Sequence, residues 1–258
     1  MGELTGVEWA KGPHNKGGSW NPWMGCHKIS PACAHCYMFR EMRHYGRDPE
    51  TVVRTRPQTF NAPLKWVEPQ GVFTCSWSDF LIKEADAWRN DAVEIIAKTP
   101  HTYMILTKRI ERMTASYSDT DECASVLGLG LEAATNPRVW FGVSVENPRF
   151  YSRIEHLQRV KCAGVRFLSI EPLLGRMEGL PLAGIGWVIV GGESGPGFRP
   201  LNLDWAREIR DRCVDLGIPF FFKQKSGFQP KGLDRLLDGR EWNEFPAIRR
   251  RVGDGEWA

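Results

Sequence analysis

The sequence predicts an α/β fold, a partial TIM-type (β/α)6 barrel with parallel strands. Three observations lead there. Short apolar runs alternate with amphipathic stretches at a repeat of about 20–35 residues, the pattern of βαβ units. The runs are apolar on both faces, as parallel strands covered by helices must be. Nearly every run ends in a polar or glycine-rich cluster, and strand C-termini converging on one rim are what a barrel offers chemistry. A doubly wound sheet would gather its polarity at one switch point.

Val7–Trp9 reads as a short first strand, and residues 10–25, rich in Gly, Pro, Asn and Trp, as an ordered loop. The six main strands are Val72–Ser76, Tyr103–Thr107, Val139–Val145, Val165–Ile170, Trp187–Val190 and Pro219–Phe222. Among the helices, Ala87–Lys98 carries Val93, Ile96 and Ala97 on one face, and Pro148–Val160 carries Ile154 and Leu157. Leu203–Leu216 carries Trp205, Ile209 and Cys213 at four-residue steps, with Asp204 or Asn202 placed to cap it. After Gln224 the periodicity fades. Residues 225–258, with Gly227–Gly239 and Arg249-Arg250-Arg251, read as a loop-rich cap. No boundary interrupts the chain, so residues 1–258 are expected to form one domain, opened by an N-terminal loop and cysteine motif at 1–36.

Composition narrows the function classes. A chain of 258 residues with 42% apolar content buries roughly 70–75% of its unfolded surface and needs no disulfide framework. A net charge of +3 is too slight to announce a nucleic-acid binder by electrostatics alone. No apolar run approaches the ~18 residues of a membrane span, and the N-terminus lacks the basic flank and hydrophobic stretch of a secretory signal. A cytoplasmic chain without a membrane partner is expected, its seven cysteines reduced. Eleven tryptophans supply interior.

Cys26, Cys33 and Cys36 lie within eleven residues, spaced C-x6-C-x2-C. A C-x-x-C pair opening a helix places two thiolates on one side of a turn, and a third from the preceding loop completes a tripod. Three thiolates suit zinc or an iron–sulfur cluster. Structural zinc takes four protein ligands, and the candidates for a fourth are His27, beside Cys26, and His35, inside the C-x-x-C. A three-cysteine [4Fe–4S] site leaves one iron open to a small-molecule cofactor.

A three-cysteine motif with a (β/α) barrel resembles the radical S-adenosylmethionine superfamily, whose usual first gap is three residues rather than six. A resemblance covering nearly the whole chain is to a phage- and bacteria-associated three-cysteine family of uncharacterised function. It rests on Ser19-Trp20-Asn21-Pro22-Trp23-Met24-Gly25-Cys26, Ser30-Pro31-Ala32-Cys33-Ala34-His35-Cys36-Tyr37 and Leu106-Thr107-Lys108-Arg109. Phe141 to Glu146, Arg166 to Leu174, Trp187 to Gly195 and Pro219 to Gln224 continue it. The superfamily resemblance implies a [4Fe–4S] cluster on Cys26, Cys33 and Cys36, with S-adenosyl-L-methionine at its open iron. One electron from an external flavodoxin- or ferredoxin-like donor would yield a 5′-deoxyadenosyl radical, which takes hydrogen from a small-molecule or nucleic-acid substrate.

The strand ends supply the other candidates. By position, Ser76, Ser78 and Asp79 stand where the superfamily holds the methionine amino group, although Ser-x-Ser-Asp is also a helix-capping turn. Ser144 and Glu146 are candidates for cofactor ribose or carboxylate; Glu146 could instead head the next helix. Lys108 and Arg109 are placed to neutralise a carboxylate or phosphate. Glu171, before Pro172 on an apolar strand, needs a partner if buried and is a candidate catalytic residue with Lys108. Gly191, Gly192 and Glu193 form a close-approach loop or a tight turn. Lys223 and Gln224 are candidate substrate contacts.

The run Arg40, Arg43, Arg47, Arg54 and Arg56, against Glu41, Asp48 and Glu50, is either a solvated helix face or a bed for a polyanion. His14, His44, His101 and His156 are expected on the surface or satisfied, and Cys75, Cys123, Cys162 and Cys213 buried. The rival reading of the whole is a zinc-stabilised nucleic-acid-binding or accessory protein without radical chemistry.

Overall fold

Seven parallel strands form one curled half-barrel sheet in the computed structural model, which describes residues 3–115, 124–229, 233–247, 251–252 and 256–257. They are β1 Gly17–Trp20, β2 Gly71–Thr74, β3 Thr102–Thr107, β4 Val139–Ser144, β5 Arg166–Ile170, β6 Trp187–Val190 and β7 Phe220–Phe222. Their order in the sheet is their order in the chain. With no reversal there is no switch point, and the fold is a partial TIM-type barrel. It holds one strand more than the six expected.

The extra strand corrects the start of the chain. Val7–Trp9 is not a strand: Glu8–His14 is a 3-10 helix, and β1 lies inside the stretch read as loop. Glycines concealed it, because Gly is depleted in strands except where another backbone comes close. A Cβ on Gly17 would stand 2.7 Å from the carbonyl oxygen of Ala10, and one on Gly71 2.2 Å from the same atom. The 3-10 helix packs across β1 and β2 at these two bare positions. At its other end β2 stops before the expected Ser76, since Cys75 adopts φ +57° and breaks the extended run.

Besides a single α-helical turn, Pro57–Phe60, the helices among the described residues are α1 Tyr37–His44, α2 Asp86–Lys98, α3 Glu111–Ala115, α4 Ala124–Thr135, α5 Ser152–Arg159 and α6 Leu203–Asp215. In α2 the buried face is Arg89, Ala92, Ile95 and Ile96, while the expected Ala97 is exposed. The first part of the expected Pro148–Val160 helix is a separate 3-10 turn, Pro148–Phe150. Asn202, not Asp204, caps α6, accepting from the Asp204 amide at 2.9 Å.

Two cores divide the sheet. On the helix side, Val72, Ile105, Phe141, Leu168, Val188 and Phe220 meet Ile96, Leu129, Leu157 and Ile209. On the concave side, Met104, Trp140, Phe167, Trp187, Ile189 and Phe221 pack against Trp9. Trp187 is the hub of this floor, with ring centroids 6.0 Å from Trp140, 5.7 Å from Phe167 and 6.3 Å from Phe221. The open edges are covered. Phe222 donates to the Trp242 carbonyl at 2.9 Å along β7, and Thr5 donates to the Gly17 carbonyl at 2.8 Å beside β1. The C-terminal cap contains a tight hairpin, Leu236–Leu237 against Arg240–Glu241, turned by Asp238 and Gly239 at positive φ. Arg249 and Arg250, like Cys123, lie outside the described residues; Arg251 begins a two-residue strand paired with Glu256–Trp257. Cys75 and Cys213 are buried as expected, but Cys162 only partly so. His101 is fully buried, its Nε2 on the Pro63 carbonyl at 3.1 Å and its Nδ1 without a partner among the described residues. Among the described residues no helix is long and apolar enough to cross a membrane.

Candidate functional site

The cysteine loop leaves β1 and is tied at once to the turn after β2. Asn21 Oδ1 accepts from the Trp77 amide at 2.8 Å and Asn21 Nδ2 donates to Ser76 Oγ at 2.9 Å. Ser78 Oγ donates to the Gly25 carbonyl at 2.6 Å, and the Gly25 amide donates to the Trp77 carbonyl at 3.0 Å. Ser76 and Ser78 therefore hold the loop. Cys33 ends a 3-10 turn, Pro31–Cys33, and Cys36 is the N-cap position of α1, so the C-x-x-C does open a helix.

Three buried carboxylates, from the ends of the even strands, fix the rest of the loop, and each is paired with an arginine. Asp79, after β2, binds Thr107 Oγ1 at 2.6 Å, the Lys108 amide at 3.0 Å and Arg109 Nη1 at 3.0 Å. Arg109 then donates to the His27 carbonyl at 2.9 Å and to Cys26 Sγ at 3.7 Å. Glu146, after β4, pairs with Arg153 at 3.1 Å and accepts from the Ala32 amide at 3.4 Å. Glu193, after β6, pairs with Arg199 at 2.6 Å and meets His35 Nδ1 at 3.0 Å. Arg199 also reaches the Pro31 carbonyl at 3.0 Å. The three carboxylates that the sequence offers to a cofactor are occupied with the loop.

The odd strands end differently. Lys108, Glu171 and Lys223 each stand two residues beyond an inward position on β3, β5 and β7, and strand alternation keeps them on the concave side. Glu171 Oε2 pairs with Lys223 Nζ at 2.6 Å, while Oε1 is buried with no partner among the described residues. Gly191 lies between them: a Cβ there would be 3.2 Å from Lys223 Cβ and 3.5 Å from Glu171 Oε2. Gly192 lies against Ser226, whose amide nitrogen and Oγ would each be 2.4 Å from such a Cβ. Gln224 Nε2 closes this edge on the Gly192 carbonyl at 3.2 Å. Ser144 and Ser169, register partners on β4 and β5, are buried on the same inner face. The ammonium of Lys108 has no hydrogen bond or ion pair among the described residues.

The three thiols are not alike. Burial pushes Cys26 up to about 11, helped by Asp79 and opposed by Arg109. Burial also raises Cys36, against the pull of Lys108. At Cys33 burial is outweighed by the charge of Lys108 and by hydrogen bonds at Ile29 and Ser30, so its thiol is lowered. Cys33 bears electrostatically on both other thiols.

Three soft donors beside a guanidinium and an ammonium fit a thiophilic metal or cluster, because the cations offset the thiolate charge. The two histidines that could complete a zinc site are engaged, His27 Nε2 with Glu84 at 2.7 Å and His35 Nδ1 with Glu193. Among the described residues no three His, Cys, Asp or Glu side chains are gathered as a metal site.

Residues 5–246 match a family described as "Protein of unknown function (DUF5131)". The chain belongs to that family. No curated protein and no solved structure matches it. The matched span of this DUF5131 chain includes the cysteine loop, all seven strands and every residue of the rim.

Sequence reasoning missed Arg153 and Arg199. Arg153 left a signal: it occupies the buried face of α5 beside Ile154 and Leu157, where an arginine needs a carboxylate. Arg199 follows a Gly-Pro-Gly loop and left none.

Proposed function

We propose that this DUF5131 chain is a radical S-adenosyl-L-methionine enzyme whose cluster is held by Cys26, Cys33 and Cys36. The observation that carries this reading is a three-thiol loop fastened to the C-terminal rim of a parallel half-barrel by carboxylates from three strands. When bound, a [4Fe–4S] cluster with S-adenosyl-L-methionine supplies an electron from a flavodoxin- or ferredoxin-like donor and a carbon radical that takes a substrate hydrogen. The chain's own residues have four tasks around it. Arg109 and Lys108 offset the negative charge of the thiolates. The even-strand pairs keep the loop from moving, which is the preorganisation a reactive site requires. Glu171 Oε1 offers an acceptor to a donor group of cofactor or substrate, with Lys223 fixing its orientation. The aromatic floor excludes water from below. The substrate in this reading is a small molecule or nucleic acid that reaches the concave side.

Anaerobically purified protein should be brown, contain about four irons per chain and bleach with dithionite. Replacing Cys26, Cys33 or Cys36 by Ala should abolish this, and Cys213→Ala should not. Colourless protein with one zinc and no iron per chain would overturn the reading in favour of a zinc-stabilised protein.

A further inference from the structure

The arginine run after the cysteines is not absorbed by the site. Helix α1 buries Met38, Phe39 and Met42, and turns its other side outward. Tyr37 is 42% exposed and Tyr45 63%. Tyr37 donates to the Ser76 carbonyl at 2.6 Å, next to Trp77. The Trp77 and Tyr45 rings are stacked, centroids 6.5 Å apart and 26° from parallel. His44 stands edge-on to Tyr45 at 5.2 Å. These rings follow a helix stretch of about 12 Å, beginning at the residue after Cys36.

Cations flank the row. Arg43 and Arg47 are exposed and pair with no carboxylate within 4.0 Å among the described residues; Arg47 Nη1 reaches Met24 Sδ at 3.9 Å and the Arg43 guanidinium lies 6.0 Å from the Phe39 ring centroid. The nearby acids are differently occupied. Glu41 stands 3.9 Å from Arg40, and Asp48 accepts from Thr51 Oγ1 at 2.6 Å and from the Glu50 amide at 3.1 Å. Two exposed tyrosine rings, backed by the half-buried Trp77 and accompanied by arginines without a carboxylate partner among the described residues, are what a polyanion with stackable bases requires. A duplex keeps its bases stacked on one another and gives such rings nothing to hold.

We propose that the exposed side of α1, with Tyr37, Tyr45 and Trp77 as a stacking row and Arg43 and Arg47 as phosphate contacts, binds single-stranded nucleic acid and leads it to the cysteine rim. This rests on the enzyme reading above and names its substrate class. The measurement is fluorescence anisotropy of a labelled oligothymidylate of about 16 nucleotides with the full chain, over a series of salt concentrations. Binding should weaken at least about fivefold in Tyr45→Ala and persist in Tyr45→Phe. The slope of log affinity against log salt should flatten by about 1.4 in the Arg43→Gln, Arg47→Gln double variant. Leu131→Ala, 71% exposed on α4, should change nothing. Absence of binding at low salt, binding indifferent to Tyr45→Ala, or a preference for duplex would each overturn the proposal, the first leaving the patch to a protein partner. Iron content is a separate readout, so loss of one reading is distinguishable from loss of the other.

Discussion

The floor and the rim of the half-barrel are made by the same strands and obey opposite rules. At the floor, inward positions are filled by Trp140, Phe167, Trp187 and Phe221, whose ring partners are one another, Trp9 and Phe245. At the rim, two to four residues further on, the inward positions hold Ser144, Ser169, Glu171 and Lys223. The floor is non-directional packing, in which each ring supports several others. The rim is directional, and it is itself divided. Even strands commit their carboxylates to the cysteine loop, whereas odd strands leave Lys108 and Glu171 Oε1 without a partner among the described residues. Stability and chemistry are thus separated along each strand, and support and availability are separated around the rim.

The sharpest break of this contrast is at the hub. Trp187→Ala should cost about 3–5 kcal/mol in urea unfolding, because five rings lose a neighbour and the floor cannot collapse around the space. A loss under about 1 kcal/mol would mean the floor is not where the stability resides. Next is Gly142→Ala, at the boundary. Its Cβ would stand 2.4 Å from the Phe167 ring, so the ring must shift, at about 1–3 kcal/mol. Unchanged stability would show a floor loose enough to repack.

A rim substitution should behave otherwise. Glu193→Gln removes the charge that Arg199 and His35 share, with an expected global cost of about 1–2 kcal/mol. The telling measurement is hydrogen exchange. Amides from Cys33 to Cys36 should exchange roughly tenfold faster while those of β3 to β6 stay protected. Uniform acceleration would mean that floor and rim open together and the division does not hold.

How much of this is legible beforehand depends on whether a feature is local. Trp187–Val190 declares itself as a strand because four consecutive apolar residues have only one economical use between helices. Gly17–Trp20 does not, since its glycines serve a backbone contact with Ala10 that no pattern within the segment encodes. Glu171 is legible as a buried carboxylate needing a cation, and Lys223 answers it from the next odd strand end, across β6. Asp79 is legible as polar and well placed, yet its partner Arg109 lies 30 residues away. A strand end shows that a carboxylate reaches the rim; only the assembled barrel shows whether it faces a ligand or a loop. That is why Asp79, Glu146 and Glu193 read as cofactor contacts in the sequence and hold the cysteine loop in the fold.

The smallest expected effect tests the uncommitted half of the rim. Lys108→Met removes a cation that has no partner among the described residues, so stability should move by less than about 0.5 kcal/mol. What should move is the metal-free thiol chemistry. The charge of Lys108 favours the Cys33 thiolate, and without it the native pKa rises. The alkylation-rate profile of Cys33 with iodoacetamide, followed by peptide mass spectrometry, should therefore shift to higher pH, with slower labelling near about pH 8. Cys26, pushed up to about 11 chiefly by its burial, should label slowly in both proteins and keep its profile. The linkage signs are opposite. The Cys33 contribution to stability is present above the unfolded thiol value of 9.0 and is lost as pH falls through its lowered native value. The Cys26 contribution is present below 9.0 and is lost as pH rises toward about 11. A Cys33 profile indifferent to Lys108→Met would place the ammonium outside the electrostatic reach of the loop, and the odd strands would then have no demonstrated bearing on the thiols.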